Sequence, residues 1–355
     1  MTGDRPLGPL GELVLARETV DRATERRTDQ AWLDATWADP GTRVLVVDHG
    51  RALVRLTGDS GDSGELVFIS PGQAPPGIRF LLGVEDERTV YWGVSAPLEG
   101  IGTPSGEASG SPDTGGVPPD SPAARGTGPG RDQPNPPDPG PAGVPRPLSL
   151  REAGSLLGDR DAGLLTHAIA LANWHDTHTH CPIDGTPTVV NPGGHSTTCP
   201  ADGTEHFPRT DPAVIMLVTD PEDRCLLARN VTWPQRRVSI LAGFVDPGES
   251  AEHAVAREVH EETGITVDRV DYLDSQPWPM PRSLMLGFRA QAVGDLTIRV
   301  DADEIAEAHW YSREDLRRVL EARELALPPS VSIARHIIED WYGGPLPSTW
   351  SPPPR

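Results

Sequence analysis

Glu258, Glu261 and Glu262 follow one another at i, i+3 and i+4 in a stretch with helical patterning. That spacing sets three carboxylates on neighbouring positions of one helix face. Like charges so placed repel by roughly a few tenths of a kcal/mol per pair, and a purely structural helix gains nothing in return. A hard divalent cation offsets the repulsion, because Mg²⁺ and Mn²⁺ prefer oxygen ligands and keep several waters for a phosphate-bearing substrate. The chemistry to expect is binding of a divalent metal that can engage a phosphate. In a chain this acidic, the plainer alternative is a solvated acidic face.

The elements that must position these residues are legible around them. Ser250 is placed to cap the helix, Ala251, Ala254, Val255 and Val259 form its apolar stripe, and Gly264 stands where a C′ glycine belongs. Upstream, residues 213–220 and 224–230 read as strands separated by a turn, followed by 239–245. Residues 315–322 and 331–342 read as closing helices. Alternating strands and helices predict an α/β (α+β) domain over 211–345.

The full stretch reads Gly243, five residues, Glu249, seven residues, Arg257-Glu258-Val259, one residue, Glu261-Glu262, one residue, Gly264-Ile265. It resembles the signature of the Nudix hydrolase superfamily. The resemblance implies an α/β/α sandwich around a mixed sheet, and hydrolysis of a nucleoside diphosphate linked to another group. It implies that Glu258 and Glu262 ligate Mg²⁺ or Mn²⁺, that Glu261 assists, and that Arg257 orients a glutamate.

Just behind it, Ser275-Gln276-Pro277-Trp278-Pro279-Met280-Pro281, then Arg282-Ser283, resembles the SQPWPFP motif of the NADH pyrophosphatase (NAD-capped RNA hydrolase) family. Three alternate prolines stiffen a loop that can hold Gln276 and Trp278 beside a base. Met280 replaces the family's Phe, keeping apolar volume but losing a flat stacking face. By the same resemblance Glu304, three residues before Glu307-Ala308-His309-Trp310, is a further ligand or base, and the carbonyl of Ala242 binds metal. Phe207 and Phe244 would sandwich a nicotinamide ring, one from each subunit of a homodimer; as isolated aromatics they can equally be core. Ala334 matches a substrate-contacting position.

The family carries Cys-x-x-Cys twice ahead of the catalytic domain, a strong tetrahedral zinc pattern. Here the turns read Cys181-Pro-Ile-Asp184-Gly185 and Cys199-Pro-Ala-Asp202-Gly203. Asp is a harder ligand that usually gives a weaker Zn²⁺ site. His178, His180, His195 and His206 lie close enough in sequence to substitute. The alternative is a metal-free module in which Asp184 and Asp202 make Asx turns before their glycines.

The rest of the chain sets the frame. With 355 residues there is room for two cored domains. The formal charge is −21, from 52 acidic against 31 basic residues, which disfavours broad nucleic-acid binding without excluding one RNA end in a local pocket. Every basic residue is Arg, for which codon bias in a GC-rich genome is the plain explanation, so no Lys is available to hold phosphate. Three cysteines suggest a reducing compartment. The N-terminus does not read as a signal peptide, and no stretch approaches a membrane span; a soluble cytoplasmic protein is expected. Strand-like runs at 42–48, 66–70 and 79–94 indicate a β-rich N-terminal domain. The Pro/Gly/Ser-rich segment 95–147 is expected to be a disordered insert in it. Leu148–His175 reads as one helix, with Ser149 and Glu152 as a capping box. The boundaries expected are 1–175, a zinc-ribbon-like connector 176–210, the Nudix domain 211–345, and a tail 346–355. The substrate expected is NADH or NAD⁺, cleaved to the nicotinamide mononucleotide and AMP, and the resemblance extends this to NAD caps on RNA. The rivals are ADP-ribose or dinucleoside polyphosphate hydrolysis, and a catalytically silent nucleotide-binding regulatory module.

Overall fold

A computed structural model describes residues 9–17, 19–57, 61–101 and 143–347. In the N-terminal part, α1 (Gln30–Ala38) precedes β1 (Arg43–Asp48), β2 (Arg51–Thr57), β3 (Ser63–Leu66), β4 (Phe68–Ile69), β5 (Ile78–Glu85), β6 (Thr89–Ser95) and β7 (Arg146–Ser149). Their sheet runs β3-β2-β1-β6-β5, with β4 on β1 and β7 on β2. The Pro/Gly-rich stretch leaves this sheet at β6 and returns to it at β7. The disorder expected for that segment falls on residues 102–142, which lie outside the described residues, as does the tail beyond 347.

The single helix expected over Leu148–His175 is a strand end and two helices, α2 (Leu150–Ala153) and α3 (Asp159–Thr177). The capping box is present, with Glu152 accepting from the Ser149 amide at 2.8 Å. The interruption comes at Gly154 to Gly158. A Cβ at Gly154 would meet Val331 at 2.7 Å, so the chain lies close against the C-terminal half at that point. Apolar periodicity carries across such a break, which is why the sequence reads as continuous.

A three-stranded sheet, β8 (Val189–Val190), β9 (Thr197–Thr198) and β10 (Glu205–His206), forms the connector. The C-terminal part holds β11 (Asp211–Thr219), β12 (Cys225–Asn230), β13 (Leu241–Phe244), α4 (Ala251–Thr263), β14 (Thr266–Trp278), β15 (Ser283–Val293), β16 (Ile305–Tyr311), α5 (Arg313–Glu321) and α6 (Ile333–Tyr342). Its mixed sheet runs β14-β15-β11-β12-β16, with β13 on β11 and β11 parallel to β15. Pro277 sits in β14, an edge strand, where a missing N–H breaks no ladder.

Strand alternation splits the C-terminal packing in two. Val214, Met216 and Val218 of β11 pack with Ala254, Val255 and Val259 of α4. Ala213, Ile215 and Leu217 face the other way, into one cluster with Ile333 and Ile337 of α6 and with Leu164, Leu165 and Ile169 of α3. The N-terminal module therefore shares its main core with the catalytic sheet. Among the described residues, no helix is long and apolar enough to cross a membrane.

Candidate functional site

The helix that carries the carboxylates is terminated as the sequence requires. Ser250 accepts a hydrogen bond from the His253 amide at 3.2 Å, and Gly264 closes the helix at φ 71°, a left-handed conformation that favours glycine. Glu258 lies directly over β13: a Cβ at Gly243 would stand 1.9 Å from the Glu258 carboxyl carbon. The first glycine of the signature is thus a space requirement of the glutamate beneath it.

Arg257 braces the group. Its Nε and one terminal nitrogen each donate to Glu249, at 2.8 Å and 2.8 Å, a two-point pairing. The other terminal nitrogen donates to Glu258 and to Glu261, both at 2.9 Å, and the Phe244 carbonyl accepts a further bond at 2.9 Å. The Arg257 guanidinium holds the Glu249 carboxyl down at about 2, while the carboxylates push Arg257 itself up. Glu249 carried no individual role in the sequence reading; it is the main anchor of the arginine.

Glu262 is different. It is 7% exposed, and its Oε2 is buried without a hydrogen-bond partner. Burial first, then the charges of Glu258, Glu304 and Glu261, push its carboxyl up to about 8. Burial also raises Glu258, against the pull of Arg257. A buried carboxylate facing other carboxylates, with an oxygen to spare, suits a hard divalent cation. Glu304 is exposed at the start of β16, and its carbonyl accepts from the Val231 amide at 2.9 Å. Ala242, on β13 opposite Ile215, sits beside Gly243. The signature glutamates, Arg257 and Glu304 are thus gathered into one place.

The proline-rich motif divides by strand alternation. Gln276 is fully buried and both amide ends are taken: Nε2 donates to the Val331 carbonyl at 3.0 Å, and Oε1 accepts from the Ile333 amide at 2.7 Å. Its side chain is not held out toward a base as expected; it fastens β14 to the start of α6. Ala334, 2% exposed, lies in that same first turn. Trp278 faces inward too, with the Arg151 guanidinium 5.0 Å from its ring. Arg151 comes from α2 in the N-terminal module, over a hundred residues away in sequence, and no local signal marked it. Burial lowers its pKa. Asn173 of α3 donates to the carbonyls of Pro279 and Pro281 at 2.8 Å and 3.1 Å, fixing the loop. Met280 packs on the main core. Arg282 donates to Asp211 at 2.7 Å, and Ser283 is buried. Phe207 and Phe244 are 63% and 40% exposed, so neither is a core residue.

In the connector, ligand atoms of Cys181, Asp184, Cys199 and Asp202 lie within 4.8 Å of one another. The Asx turns are present as well: one oxygen of Asp184 accepts from the Thr186 amide at 2.9 Å, and one of Asp202 from the Thr204 amide at 2.8 Å. The other oxygen of Asp184 lies 3.6 Å from the Cys199 sulfur. A carboxylate has two oxygens, so the turn and the metal readings are compatible. Among the described residues the nearby histidines do not join this cluster. His195 instead bonds the Leu81 carbonyl at 2.7 Å.

A mixed sheet flanked by helices, presenting an arginine-braced set of glutamates from one of them, is the construction of a Nudix domain. The NUDIX domain model matches residues 209–331, and the model of the NADH pyrophosphatase zinc ribbon domain matches residues 176–207. The NAD-capped RNA hydrolase NudC of Mycobacterium bovis is 40% identical over 338 residues, covering 92% of this chain and 94% of that protein. Its namesake in Mycobacterium tuberculosis is 39% identical over the same extent. A solved NUDIX hydrolase from Nitrosomonas europaea aligns with 47% of this chain and 94% of its own, at 20% identity and a TM-score of 0.37. The chain belongs to the NudC family of Nudix hydrolases.

Proposed function

We propose that this enzyme hydrolyses the pyrophosphate of NADH and NAD⁺ to reduced and oxidised nicotinamide mononucleotide, respectively, and AMP, and that it removes NAD caps from RNA by the same chemistry. The observation that carries this is Glu262: a buried carboxylate with an unpartnered oxygen, crowded by Glu258 and Glu304. Glu258 and Glu262 would hold a divalent cation, with Glu304 and the Ala242 carbonyl beside them. Mg²⁺ or Mn²⁺ bound there neutralises phosphate charge and makes water a better nucleophile. Arg257, fixed by Glu249, keeps Glu258 in place. Glu304, exposed as Glu261 is, would take the proton of the attacking water. Phe244 and Phe207 of the partner subunit would enclose the nicotinamide ring in a homodimer; their exposure in the single chain supports this. The proline-rich motif forms the substrate wall, with Trp278 and Arg151 as its aromatic and cationic parts.

The connector is read as a structural Zn²⁺ site built from Cys181, Asp184, Cys199 and Asp202. The three modules 1–175, 176–210 and 211–345 are read as N-terminal, ribbon and catalytic. None of the three cysteines is in a disulfide, which supports a cytoplasmic location.

The test is a substrate panel of NADH, NAD⁺, ADP-ribose and 5′-NAD RNA with Mg²⁺ or Mn²⁺. Release of AMP from the dinucleotides, and of 5′-monophosphate RNA from the capped substrate, is expected. A strong preference for ADP-ribose would overturn the reading.

A further inference from the structure

Between the modules lies a cavity of about 460 Å³ whose character runs against the rest of the molecule. Among the described residues, five arginines and two histidines line it, and no carboxylate does. The chain as a whole has 52 acidic and 31 basic residues, so chance composition would favour acids in its wall. Every module contributes. Arg17, Arg22 and Arg27 come from the N-terminal segment, His167 from α3, His195 from the connector, and Arg209 and Arg282 from the approaches to β11 and β15. Its last wall is the proline-rich motif, seen from the side opposite Gln276 and Trp278: Ser275, Pro277 and Pro279 face it by strand alternation.

Some of these cations have carboxylate partners nearby. Arg209 and Arg282 pair with Asp211 at 2.9 Å and 2.7 Å, and Arg17 pairs with Asp159 at 2.7 Å. Even so, the Nε–H groups of Arg17 and Arg27 are buried and have no acceptor. Buried donors of that kind call for an explanation, and a bound acceptor is the direct one. Arg27 bonds only weakly to the chain, through a terminal nitrogen 3.4 Å from the Arg22 carbonyl. The histidines supply no countercharge. Burial, with help from Arg22 and Arg27, pushes His195 down to about 4 and lowers His167 further than its exposed range. A concave wall of one sign concentrates positive potential, and guanidinium matches phosphate oxygens in pairs. The volume falls in the usual range for a small-molecule site.

We propose that this cavity is a binding site for a phosphoryl anion, distinct from the carboxylate site on α4. None of Glu258, Glu261, Glu262 and Glu304 lines it, so it stands whether or not the proposed reaction is correct. The anion would draw the N-terminal segment, α3, the connector and the proline-rich motif together, and so tie the substrate wall to the rest of the molecule.

The test is calorimetric titration of the full chain carrying Glu262→Gln, without added Mg²⁺ or Mn²⁺. Three probes are used: inorganic phosphate, AMP, and a short RNA with a 5′-monophosphate. At least one is expected to bind with one site per chain. Phosphate and AMP binding alike would identify a free phosphoryl ligand, and binding by the RNA alone would identify a nucleic-acid end. Adding Arg22→Gln or Arg27→Gln should weaken that binding on the order of tenfold each, one charge-assisted hydrogen bond apiece. Arg22 is exposed, so its variant is expected to fold, with unchanged circular dichroism and melting midpoint. Two results overturn the proposal: no heat from any probe at millimolar concentration, or binding that Glu258→Gln removes and the two arginine changes leave intact.

Discussion

Glu262 holds an oxygen with no partner inside a ring of other carboxylates, and that arrangement stores a conflict between stability and activity. Burial and these neighbours oppose its ionisation when no cation is bound, and Glu262→Gln removes that conflict. The metal-free variant should therefore melt at or above the wild-type temperature while turnover is lost, which calorimetry and product analysis check together; a lower melting point with retained activity contradicts the role. Glu249→Gln acts at one remove. Arg257 would keep Glu258 and Glu261 but lose its charged two-point anchor. A second-sphere loss of this kind typically costs about 10–100-fold in metal affinity or activity, so kcat should fall and the Mn²⁺ concentration for half-activity should rise. These roles differ in how far the chain itself discloses them. The carboxylate spacing on α4 can be read directly, because i, i+3 and i+4 define a face on any helix. What Gly243 does cannot be read that way, since it depends on a glutamate fifteen positions later folding back over β13. Arg151 is hidden for the same reason: cation and aromatic ring meet only through tertiary packing.

At the scale of elements, Gln276 shows how a motif residue can serve the fold. It reads from sequence as a polar group offered to a base, but β14 alternation turns it inward, where it bonds the chain at Val331 and Ile333. Gln276→Leu keeps the volume and strands a buried carbonyl and a buried amide. The expected loss of stability is about 2–4 kcal/mol, from two unsatisfied groups, measurable by denaturant titration; a loss under about 0.5 kcal/mol, the size of an ordinary surface change, would contradict the assignment. The helix expected over 148–175 fails for a related reason. Its apolar periodicity is real, yet the helix is interrupted between Ala153 and Asp159, where Gly154 lies close against Val331. In both cases the residue meets the 331–334 segment, and nothing near it in sequence announces that. Strands β5, β6, β11 and β12 were legible because β-branched and apolar runs bounded by turns need no distant partner to be recognised.

For the whole molecule, the shared core between α3 and the catalytic sheet makes the modules mutually dependent. The connector joins them along the chain, and a metal held by its Cys/Asp cluster should matter for stability. Purified protein should contain close to one zinc per chain, and Cys181→Ala should lose it with a lower melting midpoint; full zinc in that variant would contradict the ligand set. A Cys₂Asp₂ set holds zinc less firmly than four thiolates, so a chelator should strip it readily and lower the midpoint in the wild type. The account as a whole rests on cation-dependent cleavage at the α4 carboxylates. Its most direct measurement is chromatography of NADH after incubation with the wild type and with Glu262→Gln, each with Mn²⁺ and with none. Reduced nicotinamide mononucleotide and AMP in equal amounts are predicted from the wild type with Mn²⁺ alone; intact dinucleotide there, or equal cleavage by the variant, would contradict it.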